Sequence, residues 1–99
     1  MPRTPKRYFV YILSYPGKML YTGVTGDLFR RVWQHRYERG SEYTSKYRIH
    51  ELVWFEETDD ISTAIVKEKQ IKTWRRRWKI NLVEFENPRW LDLANGWYG

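Results

Sequence analysis

Short apolar runs separated by polar turns make up the first quarter of the chain. Residues Tyr8 to Ser14 are β-branched and aromatic, Pro16-Gly17 is a turn signal, and Met19 to Val24 form a second run. This pattern predicts a β-hairpin. A third strand is predicted at Glu51 to Glu57, where a short apolar run lies between acidic residues.

Two further segments have helical spacing. Asp27 can cap a helix whose apolar residues recur every three or four positions until Gly40-Ser41, and a polar loop over residues 41 to 50 follows. Asp59 or Asp60 begins the longest predicted helix, over about residues 60 to 78. A shorter helical or extended piece at Ile80 to Glu84 and a last turn after Asn87-Pro88 complete the chain.

The predicted order is ββαβα with a helical tail, which indicates an α+β fold around a small, three-stranded, mostly antiparallel sheet flanked by helices. With 99 residues, of which 18% are aromatic, the chain fits one compact domain. We expect residues 1 to 7 to be a flexible basic lead-in and residues 8 to 99 to be that domain.

The net charge of the chain indicates which class of binding partner to expect. A formal net charge of +6 suits a polyanion such as nucleic acid, and a basic protein without such a partner is the alternative. The absence of cysteine excludes disulfides, thiolate nucleophiles and cysteine-based metal sites. No stretch approaches the roughly 20 apolar residues of a membrane span, and no signal-peptide core is visible, so we expect a cytoplasmic protein.

Glu68 interrupts the apolar side of the long helix. The spacing of Ala64, Ile65 and Ile71 points this carboxylate toward the body of the protein. A buried carboxylate needs a partner or a metal ion. Metal ligation is one explanation, and an ion pair, either with an arginine or with Lys72 at i+4, is the other.

Arg31 and His35 lie four residues apart on the first helix, so both side chains can reach one site. An arginine there can hold a phosphate or stabilise the charge of a pentacovalent transition state. A solvated arginine is the alternative, and neighbouring Arg30 is a good candidate for that role. For His35 the alternative to catalysis is a structural hydrogen bond to the backbone or to a tyrosine.

Tyr11 and Tyr21 fall on the two strands of the hairpin. A two-residue loop would put the phenols on opposite faces of the sheet, whereas a loop of three or five residues would put them on the same face. Phenols need a nearby cation or metal to act as bases near neutral pH. Packing alone is the alternative.

Basic side chains crowd the second helix, where tryptophans interrupt them. Such a surface can follow a phosphate backbone, although a solvated face has the same appearance. The candidate nucleic-acid contacts are Lys46, Lys67, Lys72, Arg75, Arg76 and Arg77.

In this order and at this spacing, Val10-Tyr11-Ile12, Tyr21-Thr22-Gly23, Arg31, His35 and Glu68 resemble the GIY-YIG nuclease superfamily. The likeness is to its short stand-alone bacterial members, which are related to the incision domain of the excision-repair nuclease. It implies a GIY-YIG fold, hydrolysis of DNA phosphodiester bonds with one divalent cation, Mg²⁺ or Mn²⁺, and a role in DNA repair.

The resemblance also implies residue roles. Tyr11 and Tyr21 would be the motif tyrosines, one of which relays the proton of the attacking water. Arg31 would stabilise the phosphate, His35 would assist, and Glu68 would bind the metal. The family's late asparagine corresponds to Asn81 or Asn87.

Some features depart from the family pattern. Phe9 replaces the first motif glycine, and Val24 stands where the excision-repair branch has a lysine. Family members usually select targets through an appended DNA-binding domain, and we expect none in this chain. Substrate structure, use of RNA and a partner protein that supplies specificity therefore stay open. A non-catalytic nucleic-acid-binding module that keeps the fold and the basic surface is the alternative function.

Overall fold

The computed structural model describes residues 6–14, 19–38 and 51–98. These contain three strands, β1 (Tyr8–Ser14), β2 (Leu20–Thr25) and β3 (Glu51–Thr58). They also contain three helices, α1 (Leu28–Tyr37), α2 (Ile61–Thr73) and α3 (Arg76–Glu86). The order confirms the predicted α+β fold. The expected turn at Pro16-Gly17 and the loop with Lys46 lie outside the described residues.

The sheet has the strand order β2-β1-β3, and both pairs are antiparallel. Ser14 pairs with Leu20, so an odd number of residues, 15–19, connects the first two strands. Leu13 consequently pairs with Tyr21, and Tyr11 pairs with Gly23. Because side chains alternate along a strand, Tyr11 and Tyr21 lie on the same face. The sequence had left this choice open.

Helices cover both faces of the sheet. On one face Val10 and Ile12 of β1 pack with Ala64 and Ile71 of α2 and with Val83 of α3. The other face is covered by α1 and the last residues of the chain, which form a second cluster; its buried members include Tyr11, Leu13, Leu28, Val32, Leu52 and Ala94. A register shift after Ile12 interrupts the alternation of β3, so the consecutive residues Val53 and Trp54 both lie in the first cluster while Leu52 lies in the second. None of the described helices is long and apolar enough to cross a membrane.

The helix starts agree with the capping signals in the sequence. The Asp27 carboxylate accepts a hydrogen bond from the Arg30 N–H at 3.1 Å, and that of Asp60 accepts one from the Ser62 N–H at 3.1 Å. The single long helix predicted over residues 60 to 78 is wrong. Trp74 and Arg75 have extended backbones, with ψ of 150° and 149°, and they separate α2 from α3.

The residues after α3 are fixed to the sheet by two polar side chains. Asn87 is buried, and its Nδ2 donates to the carbonyls of Val53 at 3.0 Å and Leu91 at 2.9 Å. Asp92 accepts a hydrogen bond from the Leu52 N–H at 3.1 Å and pairs with Arg36 at 2.5 Å. The tail therefore joins β3 to α1.

Candidate active site

Tyr11 is the centre of the site. Its side chain is buried, and its ring lies over Gly23 on the neighbouring strand. A Cβ at Gly23 would come within 2.5 Å of the phenol oxygen and 2.6 Å of the ring carbon that bears it. Only glycine leaves this space, which explains why a residue without a side chain follows Thr22 in the second tyrosine tripeptide.

His35 and Tyr21 surround the same phenol. The Tyr11 Oη and the His35 Nε2 are 3.1 Å apart and form a hydrogen bond. The Tyr21 ring packs edge-on against the His35 ring, with 5.2 Å between centroids, and lies 6.3 Å from the Tyr11 ring. One turn of α1 and the register of the hairpin thus bring three aromatic side chains together. The hydrogen bond between His35 and Tyr11 is also the structural role that the sequence left as the alternative to catalysis for His35.

Arg31 supplies positive charge to this cluster. Its Nη1 donates to the Gln34 Oε1 at 3.3 Å, which orients the guanidinium. Its charge acts to lower the pKa of Tyr11. Burial and the neighbouring Tyr21 act more strongly in the opposite direction, so the pKa of Tyr11 lies far above its ordinary value of 10.0.

The pKa of His35 is lowered, as expected for a buried base. Burial, assisted by the Arg31 charge, lowers its pKa from 6.5 to about 4. His35 is therefore neutral near pH 7, and Tyr11 is a protonated phenol. A neutral imidazole with Nε2 free of a proton accepts the hydrogen bond that the phenol donates.

Glu68 occupies the slot that the helical pattern predicted. Its side chain is 15% exposed, between buried Ala64 and Ile71 on α2. The Lys72 Nζ lies 3.4 Å from the Glu68 Oε2, so the i+4 ion pair is formed. Although α2 covers the opposite face of the sheet from α1, the Glu68 charge still contributes, as the weakest influence, to raising the pKa of Tyr11.

The predicted nucleic-acid contacts are divided between two helices. Lys67 and Lys72 lie on α2, where Lys67 pairs with Glu56 at 3.8 Å. Arg75, Arg76 and Arg77 lie at the junction of α2 and α3, and all three are exposed. Lys46 lies outside the described residues. These side chains are therefore not one continuous helical face.

The structure separates the two candidate asparagines. The Asn87 amide is occupied by the backbone of β3 and of the tail, whereas Asn81 is exposed on α3. The sequence interpretation missed Gly23 and Gln34 as supports of the site. The signal for Gly23 was its place as the last residue of the tripeptide Tyr21-Thr22-Gly23. Gln34, three residues after Arg31, could have been recognised from helical spacing.

Comparisons with known proteins show which family the chain is similar to. The sequence profile described as the GIY-YIG catalytic domain matches residues 7–81. A UPF0213 protein of Haloquadratum walsbyi is 39% identical over 77 residues, which cover 78% of this chain and 86% of that protein. A UPF0213 protein of Staphylococcus epidermidis is 36% identical over 78 residues, covering 79% and 95%.

A solved structure shows the same fold. The solution NMR structure of a UPF0213 protein from Bacillus halodurans has a TM-score of 0.57 and 27% identity, and the alignment covers 91% of this chain and 97% of that one. The profile match extends over most of the chain and includes both motif tyrosines, Arg31, His35 and Glu68. The chain therefore belongs to the GIY-YIG nuclease superfamily.

Proposed function

We propose that this protein is a metal-dependent endonuclease that hydrolyses phosphodiester bonds in DNA. The observation that carries the proposal is the arrangement around one buried phenol, where the Tyr11 Oη lies 3.1 Å from the His35 Nε2 beside Tyr21 and Arg31. A protein that only binds nucleic acid does not require a hydrogen-bonded phenol and imidazole beneath an arginine. Hydrolysis requires a path for the proton of water and a cation for the phosphate.

The protonation states favour Tyr11 as a proton relay. The raised pKa of Tyr11 keeps the phenol protonated, so it is a poor phenolate base near pH 7. As the water attacks phosphorus, the phenol oxygen accepts the water proton while its own proton passes to the His35 Nε2. Arg31 stabilises the negative charge that develops on the non-bridging oxygens. Tyr21 packs against His35 and holds the imidazole toward the phenol.

Glu68 is the residue that would hold the divalent cation. Its carboxylate already attracts a cation, since the Lys72 ammonium lies 3.4 Å away. The described residues include no cluster of three acidic or histidine ligands, and Mg²⁺ commonly binds one or two carboxylates and completes its shell with water and phosphate oxygens. The donor set thus fits Mg²⁺ or Mn²⁺. When bound, the cation supplies electrostatic stabilisation of the leaving oxygen.

A cleavage assay tests the proposal directly. We expect the wild-type protein to cut at least one of a panel of linear, flapped and branched DNAs with Mg²⁺ or Mn²⁺. Arg31→Ala should lower the cleavage rate by about 10²- to 10³-fold, because one stabilising donor in the transition state is lost. Arg30→Ala is the matched control, since Arg30 is exposed on the same helix and should leave the rate nearly unchanged.

Two results would contradict the proposal. Wild-type protein that binds every DNA of the panel and cuts none would identify a binding module. Equal cleavage rates for the Arg31 and Arg30 variants would remove the transition-state role of Arg31.

A further inference from the structure

An apolar groove lies where α2 ends and α3 begins. It encloses about 360 Å³ between Trp74, Trp78, Asn81, Leu82 and Phe85. The Trp74 and Trp78 rings meet edge to face with 6.3 Å between centroids. Trp78 is 56% exposed and Phe85 is 87% exposed, so two flat aromatic faces are available to a ligand. Exposed aromatic side chains at such density are typical of binding surfaces.

Positive charge lies at the end of this groove where α2 meets α3, whereas Glu84 and Glu86 flank Phe85 at its other end. Residues 69–83 contain no aspartate or glutamate, whereas Lys69, Lys72, Arg75, Arg76, Arg77 and Lys79 are basic. Arg75 is the N-cap of α3 and makes no capping hydrogen bond, and the first turn of the helix has no acidic residue. Cations at a helix N-terminus oppose the helix dipole. Neither Arg75 nor Arg77 pairs with a carboxylate among the described residues, so this end of α3 favours an anion.

An occupant of this groove must match both its exposed aromatic faces and the unpaired arginines Arg75 and Arg77. A second copy of the chain bound through a two-fold axis would bring the same arginines together, and like charges repel. An apolar peptide would leave the arginines without a partner. A nucleic-acid strand supplies both an aromatic base and a phosphate anion, which is the pairing that strand-binding grooves use.

We propose that this groove binds unpaired bases of a single DNA strand, with the bases stacked on Trp78 and Phe85 and the phosphates near Arg75 and Arg77. The proposal rests on the proposed nuclease function and specifies its substrate class, a DNA with an unpaired segment. Trp74 follows Glu68 by six positions, which is about 9 Å along a helix. Glu68 therefore lies in the C-terminal half of α2, less than two helical turns before the groove.

Base stacking can be separated from charge by comparing two oligonucleotides. Binding of fluorescently labelled oligothymidylate, and of the same backbone made entirely of abasic residues, is measured by anisotropy with EDTA present to prevent cleavage. Stacking on aromatic side chains contributes about 1–3 kcal/mol per base, so the wild-type protein should prefer the base-bearing strand by about fivefold to more than a hundredfold. It should also prefer this strand to a blunt duplex.

The variants locate the interaction. Trp78→Ala combined with Phe85→Ala should reduce affinity for oligothymidylate to the abasic level and leave the abasic affinity unchanged. Both side chains are exposed, so the fold should persist, which a thermal melt verifies. Trp33→Ala is the matched control, because Trp33 is a partly exposed tryptophan on α1 at the other face of the sheet. Arg75→Gln with Arg77→Gln should lower the salt dependence of binding to both strands.

The proposal is overturned if the wild-type protein binds both strands equally, or if the groove variant binds oligothymidylate as the wild type does. A groove variant that changes the molecular mass in solution but not DNA affinity would also overturn it, since the groove would then join two copies of the chain. Base-dependent binding without any cleavage would support the groove and contradict the nuclease. Cleavage that depends on Arg31, together with wild-type binding of oligothymidylate by the groove variant, would support the nuclease and contradict the groove.

Discussion

Gly23 has no side chain because the ring of Tyr11 lies across it. The glycine lies two positions after the motif tyrosine Tyr21, yet the need for a glycine there comes from the pairing of Tyr11 with Gly23 across two strands. Sequence spacing alone cannot give that register, since it depends on the length of the connection after Ser14. The position of the phenol is thus set by a residue that takes no part in chemistry.

Gly23→Ala should displace the Tyr11 ring, since the new methyl group would lie 2.5 Å from the phenol oxygen. We expect a loss of stability of about 1–3 kcal/mol from overpacking and a large loss of cleavage. Gly26→Ala is the matched control, because its Cβ would find no atom closer than 3.9 Å. Denaturant unfolding and a cleavage assay measure both effects, and equal behaviour of the two variants would contradict this role for Gly23.

His35 makes the fold sensitive to acid. Its pKa is about 4 in the folded protein and 6.5 as its ordinary value, so between these values the unfolded chain binds a proton that the folded protein does not. Stability should therefore fall as pH drops through this window. The contribution lost between about pH 7 and about pH 4.5 is about 2–3 kcal/mol.

His35→Gln should remove this acid-dependent loss, although it lowers stability near neutral pH. Urea unfolding at the two pH values gives the difference for the wild type and the variant. His50→Gln serves as the control for loss of a histidine, since the chain has two. If His35→Gln loses as much stability on acidification as the wild type, His35 is not the titrating group.

At the scale of whole elements, the break between α2 and α3 is the largest departure from the sequence prediction. Apolar residues continue at helical spacing through Trp74 and Trp78, and neither proline nor glycine marks an interruption. The two helices instead turn so that Ile71 and Val83 both reach the core below the sheet. This outcome is decided by tertiary packing, which local periodicity does not contain.

On helix α2, replacing Glu68 distinguishes a structural carboxylate from a catalytic one. The Lys72 side chain is 51% exposed, so its pair with Glu68 should contribute no more than about 1 kcal/mol. Glu68→Gln should therefore melt almost as the wild type does. It should also lose Mn²⁺ binding, followed by electron paramagnetic resonance, and lose cleavage while DNA binding persists.

Glu56→Gln is the control for that substitution, because Glu56 pairs with Lys67 on the surface of the molecule. We expect it to keep metal binding and cleavage. A Glu68→Gln protein that binds Mn²⁺ and cuts DNA at the wild-type rate would show that the carboxylate has only a structural function.

For the whole molecule, the α+β class and the order of the three strands could be read from the sequence, whereas the roles of the candidate site residues stay predictions. Strand and helix periods, the capping residues Asp27 and Asp60, and the inward slot of Glu68 are local signals, and the structure contains each of them. Contacts between residues that lie far apart in the chain could not be predicted from the sequence. The contacts of Asn87 with Val53 and of Asp92 with Leu52 join residues 34 and 40 positions apart.

The tail has a further consequence for the behaviour of the protein in concentrated solution. As β3 is an outer strand of the described sheet, its outer edge is a template for a strand from another molecule wherever it is uncovered. At Leu52 this edge is occupied, since Leu93 donates to its carbonyl at 2.7 Å and Asp92 accepts from its N–H. Glu56 and Glu57 place charge farther along the same strand.

Asp92→Ala should detach this cover and lower stability by about 2 kcal/mol, because the Leu52 N–H and Arg36 lose their acceptor. The variant should then aggregate through strand addition, visible as rising light scattering and a growing β signal in mild denaturant. Asp59→Ala, at an exposed aspartate before α2, should stay monodisperse. A side chain in the tail, outside the proposed active site, would thus determine how resistant the protein is to aggregation.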